Sequence, residues 1–198
     1  MSCVQSGDDV NPCDRELIDA TLRGDSAAFG ALVRRYQDRL LSAVVHVSGS
    51  RDEAEDVVQE AFVQAYLKLT SFAGGSSLYT WLYRIAFNTA ISRRRKRRGG
   101  ALEQARDLGG SEPTDETEPA EDRLLRKERA AVVQRALAQL PDDFRAVLVL
   151  REMEGCDYET IAQILDLPIG TVRSRLHRAR LQLKIELTAV LEDRSEGP

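Results

Sequence analysis

Residues 99–122, GGALEQARDLGGSEPTDETEPAED, constrain the fold more than any other stretch of this chain. They are rich in Gly, Pro, Thr and acids, with eight carboxylates against the lone Arg106, and their few apolar residues keep little periodicity. Such a stretch cannot bury enough surface to offset its ordering entropy, so it is expected to be a flexible acidic linker. At 198 residues the chain could form one domain or two small ones, and this stretch is the clearest sign of two lobes. The chain divides into an N-terminal tail (1–13), a lobe at 14–98, the linker at 99–122, a second lobe at 123–190 and a C-terminal tail (191–198).

Both lobes read as helices. With only 6% aromatic residues the composition favours helices over sheets, and no strand pattern stands out. In the first lobe a short helix starts at Asp14 or Arg15 and ends by Gly24. Ser26 is placed to cap a second helix whose Phe29, Leu32, Val33, Tyr36, Leu40, Val44 and Val47 form one stripe. Ser50 and Glu53 make a capping box for a third, with Val57, Val58, Ala61, Phe62, Ala65, Tyr66 and Leu69 facing inward. A loop, SFAGGSS, leads into LYTWLYRIAFNTAISRRRKRR. The second lobe opens with a helix at 124–140, continues from Pro141 through Phe144, Val147, Leu148 and Leu150, and breaks at Gly155 before Asp157 caps the next helix. The expected fold is all-α, two small helical bundles joined by the linker.

Residues 157–180, DYETIAQILDLPIGTVRSRLHRAR, read as helix, tight turn, helix. Ile161, Ala162 and Leu165 supply an apolar face to the first helix, and Val172 and Leu176 supply one to the second. Pro168 and Gly170 mark the turn, and Thr171 can cap the second helix. From Leu167 to Ile185 there is no acid, while Arg173, Arg175, Arg178, Arg180 and Lys184 all fall there. A helix that buries one face and offers guanidinium groups on the other suits a DNA major groove, where Arg forks onto guanine and neutralises phosphates. An ordinary bundle helix with a solvated basic face is the other reading of this segment alone.

A net charge of −4 argues against DNA binding until the charge is seen to be segregated. Residues 93–98 are an unbroken basic run, RRRKRR, whereas residues 51–60 carry Asp52, Glu53, Glu55, Asp56 and Glu60 against one Arg. Tyr79, Trp81, Tyr83 and Phe87 lie close to Arg84, Asn88 and the basic run. Aromatic faces stack on unpaired bases while Arg and Lys track phosphates, the combination used for single-stranded nucleic acid. Trp81 and Phe87 fit a core role equally well. The acidic helix is either solvated charge or an electrostatic docking surface for a basic partner.

Catalysis is not indicated, and no cofactor or metal is called for. His46 and His177 lie in different lobes without metal-ligand spacing, and Gly74-Gly75 lacks the followers of a phosphate loop. Cys3, Cys13 and Cys156 suggest neither a disulfide framework nor a zinc site and read as reduced thiols. With neither a signal peptide nor an apolar run of membrane length, a cytoplasmic protein without membrane insertion is expected.

Taken in order, DVVQEAF (56–62), YTWLYRIAFNTA (79–90) and the block from Leu140 to Arg180 resemble the sigma factors of the sigma-70 superfamily, specifically the extracytoplasmic-function (ECF) group. The resemblance covers about residues 14–98 and 124–188. It implies that the first lobe is region 2 and the second region 4, with no structured region 3 between them. It further implies that Asp56, Gln59 and Glu60 contact the clamp helices of core RNA polymerase. Phe72, Tyr79, Trp81, Arg84, Asn88, Arg93 and Arg94 would melt and read the −10 element, with Asn88 at the base pocket. Thr171, Arg173, Ser174, Arg175, His177 and Arg178 would enter the −35 major groove of promoter DNA, and an anti-sigma factor would hold the protein inactive. The loop Phe72-Ala73-Gly74-Gly75-Ser76 departs from the family, which often carries an Arg and an acid there. A self-sufficient helix-turn-helix repressor or activator would use residues 170–180 but leave the acidic and aromatic–basic helices idle. A protein-only adaptor would retain no DNA at low salt.

Overall fold

The computed structural model describes residues 11–98 and 120–195, which form eight α-helices without a strand among the described residues. Most of the expected linker, most of the N-terminal tail and Cys3 lie outside them. The first lobe comprises α1 (Pro12–Leu22), α2 (Ser26–Ser48), α3 (Arg51–Lys68) and α4 (Leu78–Arg98), with a single 3₁₀ turn at Leu69–Ser71. The second comprises α5 (Ala120–Gln139), α6 (Asp142–Leu148), α7 (Tyr158–Leu165) and α8 (Ile169–Ser195). Helix thus reaches into stretches expected to be tail and linker.

Side-chain caps set most starts. The Ser50 hydroxyl accepts from the Glu53 amide at 3.2 Å, and the Asp157 carboxylate from Thr160 at 2.7 Å. Each cap is worth about 1 kcal/mol. The first helix starts at Pro12 rather than Asp14 or Arg15 and the fifth at Ala120 rather than 124, and two expected caps shift as well. Asp25, not Ser26, caps α2, because its carboxylate accepts from both Ala27 and Ala28. Thr171 lies inside α8, whose first turn forms on the Pro168 carbonyl, accepting from Thr171 and Val172 at 2.8 and 3.1 Å. Pro168 carries the dihedral a helix entry needs, so the helix begins before the threonine. Between α7 and α8 Asp166 sits in the left-handed region at φ 55°, a conformation Asp tolerates better than most residues. Gly155, at φ 68°, ends the preceding helix where the sequence placed a break.

That preceding helix is not uniform. α6 passes at Val149 into a five-residue π-helical segment ending at Met153, which widens the turn and delivers Glu154 toward the first lobe. The lobes pack directly, α4 against α7 and α2 against both α6 and the π segment. Their buried side chains form one contiguous cluster, from Leu40, Val44 and Phe87 on one side to Val147, Leu150 and Ile161 on the other. At its centre lies Arg145, fully buried, donating to the carbonyls of Leu137, Ala138 and Leu140 in its own lobe and of Val47 across the interface. A buried guanidinium is tolerable only when its donors are met, and these four carbonyls meet them.

Candidate nucleic-acid interface

Helical phase sorts the aromatic–basic helix into two faces. Leu78, Leu82, Tyr83, Ala86, Phe87 and Ala90 are buried, so Tyr83 and Phe87 are core residues rather than stacking platforms. Trp81, Arg84 and Asn88 share the opposite face, where Trp81 is half-buried against Phe72 with ring centroids 5.2 Å apart and the other two are exposed. Four of the seven residues expected at the −10 element, Phe72, Trp81, Arg84 and Asn88, are therefore together.

The remaining three are elsewhere. Arg93 turns back to α3, where its Nε donates to Glu60 at 3.0 Å and Asp56 lies 3.8 Å away. Tyr79 and Arg94 face the second lobe. The Tyr79 hydroxyl donates to Glu154 at 3.1 Å, and Arg94 pairs with the buried Asp142 at 2.5 Å while donating to the Ser48 carbonyl. Glu154 gathers one cation and two hydroxyls on a single oxygen: Arg39 Nε at 3.2 Å, Tyr79 at 3.1 Å and Tyr83 at 3.0 Å. Arg39 also lies 4.2 Å above the Tyr79 ring. Burial above all raises the pKa of both tyrosines, with the Glu154 carboxylate adding to it, and both remain neutral donors at physiological pH.

On α8 the phase is as expected. Val172, Leu176 and Ala179 are buried, and Arg173, Ser174, His177 and Arg178 are exposed as one strip, with Thr171 half-buried at its start. Arg173 approaches the Tyr158 ring at 5.9 Å, and Arg151 approaches it at 5.1 Å. Arg175 departs from the strip, pairing with Asp143 at 3.0 Å. Arg180 is held by Glu152.

Asp56 and Gln59 are exposed on α3 and Glu60 is partly so. Beside them runs an open groove of about 630 Å³ between α2 and α3, floored by Phe29, Val33, Leu41 and Phe62 and edged by Val63 and Leu67. Tyr66 is 47% exposed, although the sequence placed it inward; it closes the groove against Phe29 at 5.0 Å instead of entering the core. Sequence reading missed this groove. The available signal was the excess of apolar residues on α3, since Val63 and Leu67 fall outside the core stripe and are 55% and 73% exposed.

No group of three or more metal-ligating side chains occurs among the described residues, and no described helix is long and apolar enough to cross a membrane.

The sigma-70 region 2 family model matches residues 32–99 and the sigma-70 region 4 model residues 130–183. The chain is 41% identical over 186 residues to the RNA polymerase sigma-H factor of Pseudomonas aeruginosa, spanning 91% of this chain and 96% of that protein. It is 42% identical over 173 residues to the ECF RNA polymerase sigma-E factor of Escherichia coli, spanning 84% and 90%. Among solved structures it is similar to CnrH in complex with the cytosolic domain of CnrY (TM-score 0.63, 28% identity, 89% of this chain and 98% of that one). It is equally similar to the sigma factor RpoE of Bartonella quintana in complex with the anti-sigma factor NepR (TM-score 0.63, 29% identity, 81% and 96%).

Proposed function

The chain belongs to the sigma-70 family as an extracytoplasmic-function RNA polymerase sigma factor, and from that premise we propose how its lobes divide promoter recognition. Residues 14–98 act as region 2. Asp56, Gln59 and Glu60, with the adjoining apolar groove, dock on the clamp helices of core polymerase, and Phe72, Trp81, Arg84 and Asn88 capture the unstacked −10 strand. Residues 123–190 act as region 4, laying Arg173, Ser174, His177 and Arg178 in the −35 major groove. Tyr79, Arg93, Arg94 and Arg175 join the DNA contacts once released from their intramolecular partners. An anti-sigma factor regulates the protein, as the bound partners of its structural relatives suggest, and it works in the cytoplasm, where polymerase and promoter DNA are.

The observation that carries this reading is the apolar groove edged by Asp38, Glu55 and Gln59, on the same lobe as the Trp81–Arg84–Asn88 face. An acidic rim attracts and orients a basic partner, and an apolar floor holds it. A repressor binding duplex DNA unaided has no use for that groove. The strand-capturing face is likewise suited to DNA opened by polymerase, since unstacking a base costs a few kcal/mol. The test is transcription: core polymerase with this chain yields promoter-dependent run-off products, and core alone does not. Absence of any such product from a genomic template library, with folded protein present, defeats the reading.

A further inference from the structure

Tyr158, the first residue of α7, belongs to neither of the faces assigned to DNA. Its ring is partly buried and packs against the core cluster. Two guanidinium groups approach that ring from other elements. Arg151, in the π-helical segment, lies 5.1 Å from the ring centroid and donates through Nη1 to the Cys156 carbonyl at 2.8 Å. Arg173, exposed near the start of α8, lies 5.9 Å from the same centroid. The backbone just ahead of α7 therefore holds Arg151, Arg151 packs on the Tyr158 ring, and the ring meets the first arginine of the strip on α8.

The arginines of α8 are held in two different ways. Arg175 and Arg180 pair with Asp143 and Glu152, and a carboxylate partner offsets the charge that a phosphate or a guanine edge would meet. Among the described residues no carboxylate pairs with Arg173. An aromatic ring attracts a cation through its quadrupole and carries no net charge, so Arg173 is given a direction and remains a full cation. A long side chain loses rotamer freedom when it is immobilised on a partner, and a side chain already restrained has less to lose. Val172, buried beside it, fixes the backbone from which Arg173 projects.

We propose that Tyr158 is a positioning residue for −35 recognition, its ring, braced by Arg151, aiming the Arg173 guanidinium into the strip that enters the major groove without neutralising it. Tyr158 acts through Arg173 rather than by touching DNA, so the ring matters and the hydroxyl does not. Losing the ring leaves the charge of Arg173 in place and removes only its direction. The inference rests on the assignment of the α8 strip to the −35 element.

The test uses the full chain on core polymerase and a labelled duplex carrying the −35 element of a promoter that this holoenzyme transcribes. Tyr158→Phe, Tyr158→Leu, Arg173→Ala and the double variant Tyr158→Leu/Arg173→Ala are compared with wild type by anisotropy, and folding is checked by far-ultraviolet circular dichroism. Tyr158→Phe keeps the ring and should bind as wild type does. Tyr158→Leu should bind about three- to fivefold more weakly, the upper part of the range for an exposed cation–ring contact. In the Arg173→Ala background the same Leu substitution should cost nothing further, because its effect runs through Arg173. A trifluorinated phenylalanine at position 158 has nearly the shape of phenylalanine but a ring face drained of negative potential, and it should bind as weakly as Tyr158→Leu. If Tyr158→Leu loses helicity, the fluorinated ring decides alone. Equal losses from Tyr158→Leu in both backgrounds, or a fluorinated ring that binds like plain phenylalanine, overturns the positioning role. A loss in Tyr158→Phe as large as that in Tyr158→Leu overturns it as well, since the hydroxyl would then be the contact. Arg173→Ala separates the failures. Weakened duplex binding by Arg173→Ala with an inert Tyr158 sinks only the positioning role, whereas unchanged binding by Arg173→Ala sinks the place of Arg173 in the −35 strip on which it rests.

Discussion

Removing the two apolar side chains at the lip of the α2–α3 groove should separate folding from polymerase binding. Val63 and Leu67 are 55% and 73% exposed, so the folded chain gains little from them. Truncating both to Ala should change stability by no more than about 0.5 kcal/mol each, the usual range for surface positions. If a polymerase helix covers the groove, the same side chains become buried. Full burial of a Val or Leu side chain is worth about 1.5–3 kcal/mol. Only the part beyond Cβ is lost on truncation, and only the exposed share is newly covered, so the pair should cost about 2–3 kcal/mol in binding. That corresponds to roughly 30–150-fold weaker affinity. The assay is titration of labelled Val63→Ala/Leu67→Ala chain with core polymerase, paired with thermal unfolding of the free variant. Affinity within twofold of wild type, with unfolding unchanged, would refute the groove as a docking site. A large fall in melting temperature would refute the claim that these residues are spare to the fold.

Four further outcomes rest on the same geometry. Arg145→Ala strands four carbonyls around a buried void, and at about 3–5 kcal/mol it should lower the melting temperature by roughly 6–20 °C in calorimetry; a fall under about 2 °C would contradict the buried network. Asp56→Lys/Glu60→Lys should abolish pull-down of core polymerase while leaving region 4 folded, and undiminished pull-down counts against these α3 carboxylates as a docking surface. Arg178→Ala should weaken holoenzyme binding to a cognate −35 duplex and relax discrimination at one base pair by about 1–3 kcal/mol, measured against single-base variants of that duplex; a uniform loss would assign Arg178 to phosphate instead. Cys156 is buried and its pKa is pushed up to about 11, mainly by that burial, so at pH 8 it stays a thiol and should alkylate far more slowly than the exposed Cys13 in a mass-spectrometric time course. Equal rates would mean that the lobes do not enclose it.

Local chemistry announced itself in the sequence. Ser50 and Asp157 cap the helices they were expected to cap, because a short oxygen-bearing side chain ahead of a periodic apolar run has one favourable use. Val172 and Leu176 are buried, and Arg173 and Arg178 exposed, because a period of 3.6 residues decides which side chains share a face. Periodicity does not say what that face meets. Glu154, Arg39, Tyr79 and Tyr83 converge from positions up to 115 residues apart, and a buried Glu or Arg is indistinguishable in sequence from a solvated one. Arg145 and Asp142 were hidden for the same reason. Tyr66 continued the apolar spacing of α3 and was assigned inward, yet a tyrosine at the stripe's edge packs equally well on a groove wall. Phe87 stayed open between stacking platform and core in the sequence, because its neighbours Asn88 and Arg84 suit the first role, and its phase puts it in the core.

The central claim is that this chain confers promoter choice on RNA polymerase. The most direct measurement is sequencing the 5′ ends of transcripts made in vitro from fragmented genomic DNA, by core polymerase with and without the chain. Discrete start sites should appear only with the chain, each preceded by shared −10 and −35 elements, and should be lost in Asp56→Lys/Glu60→Lys. Start sites that are the same with and without the chain, or that share no upstream elements, would contradict it.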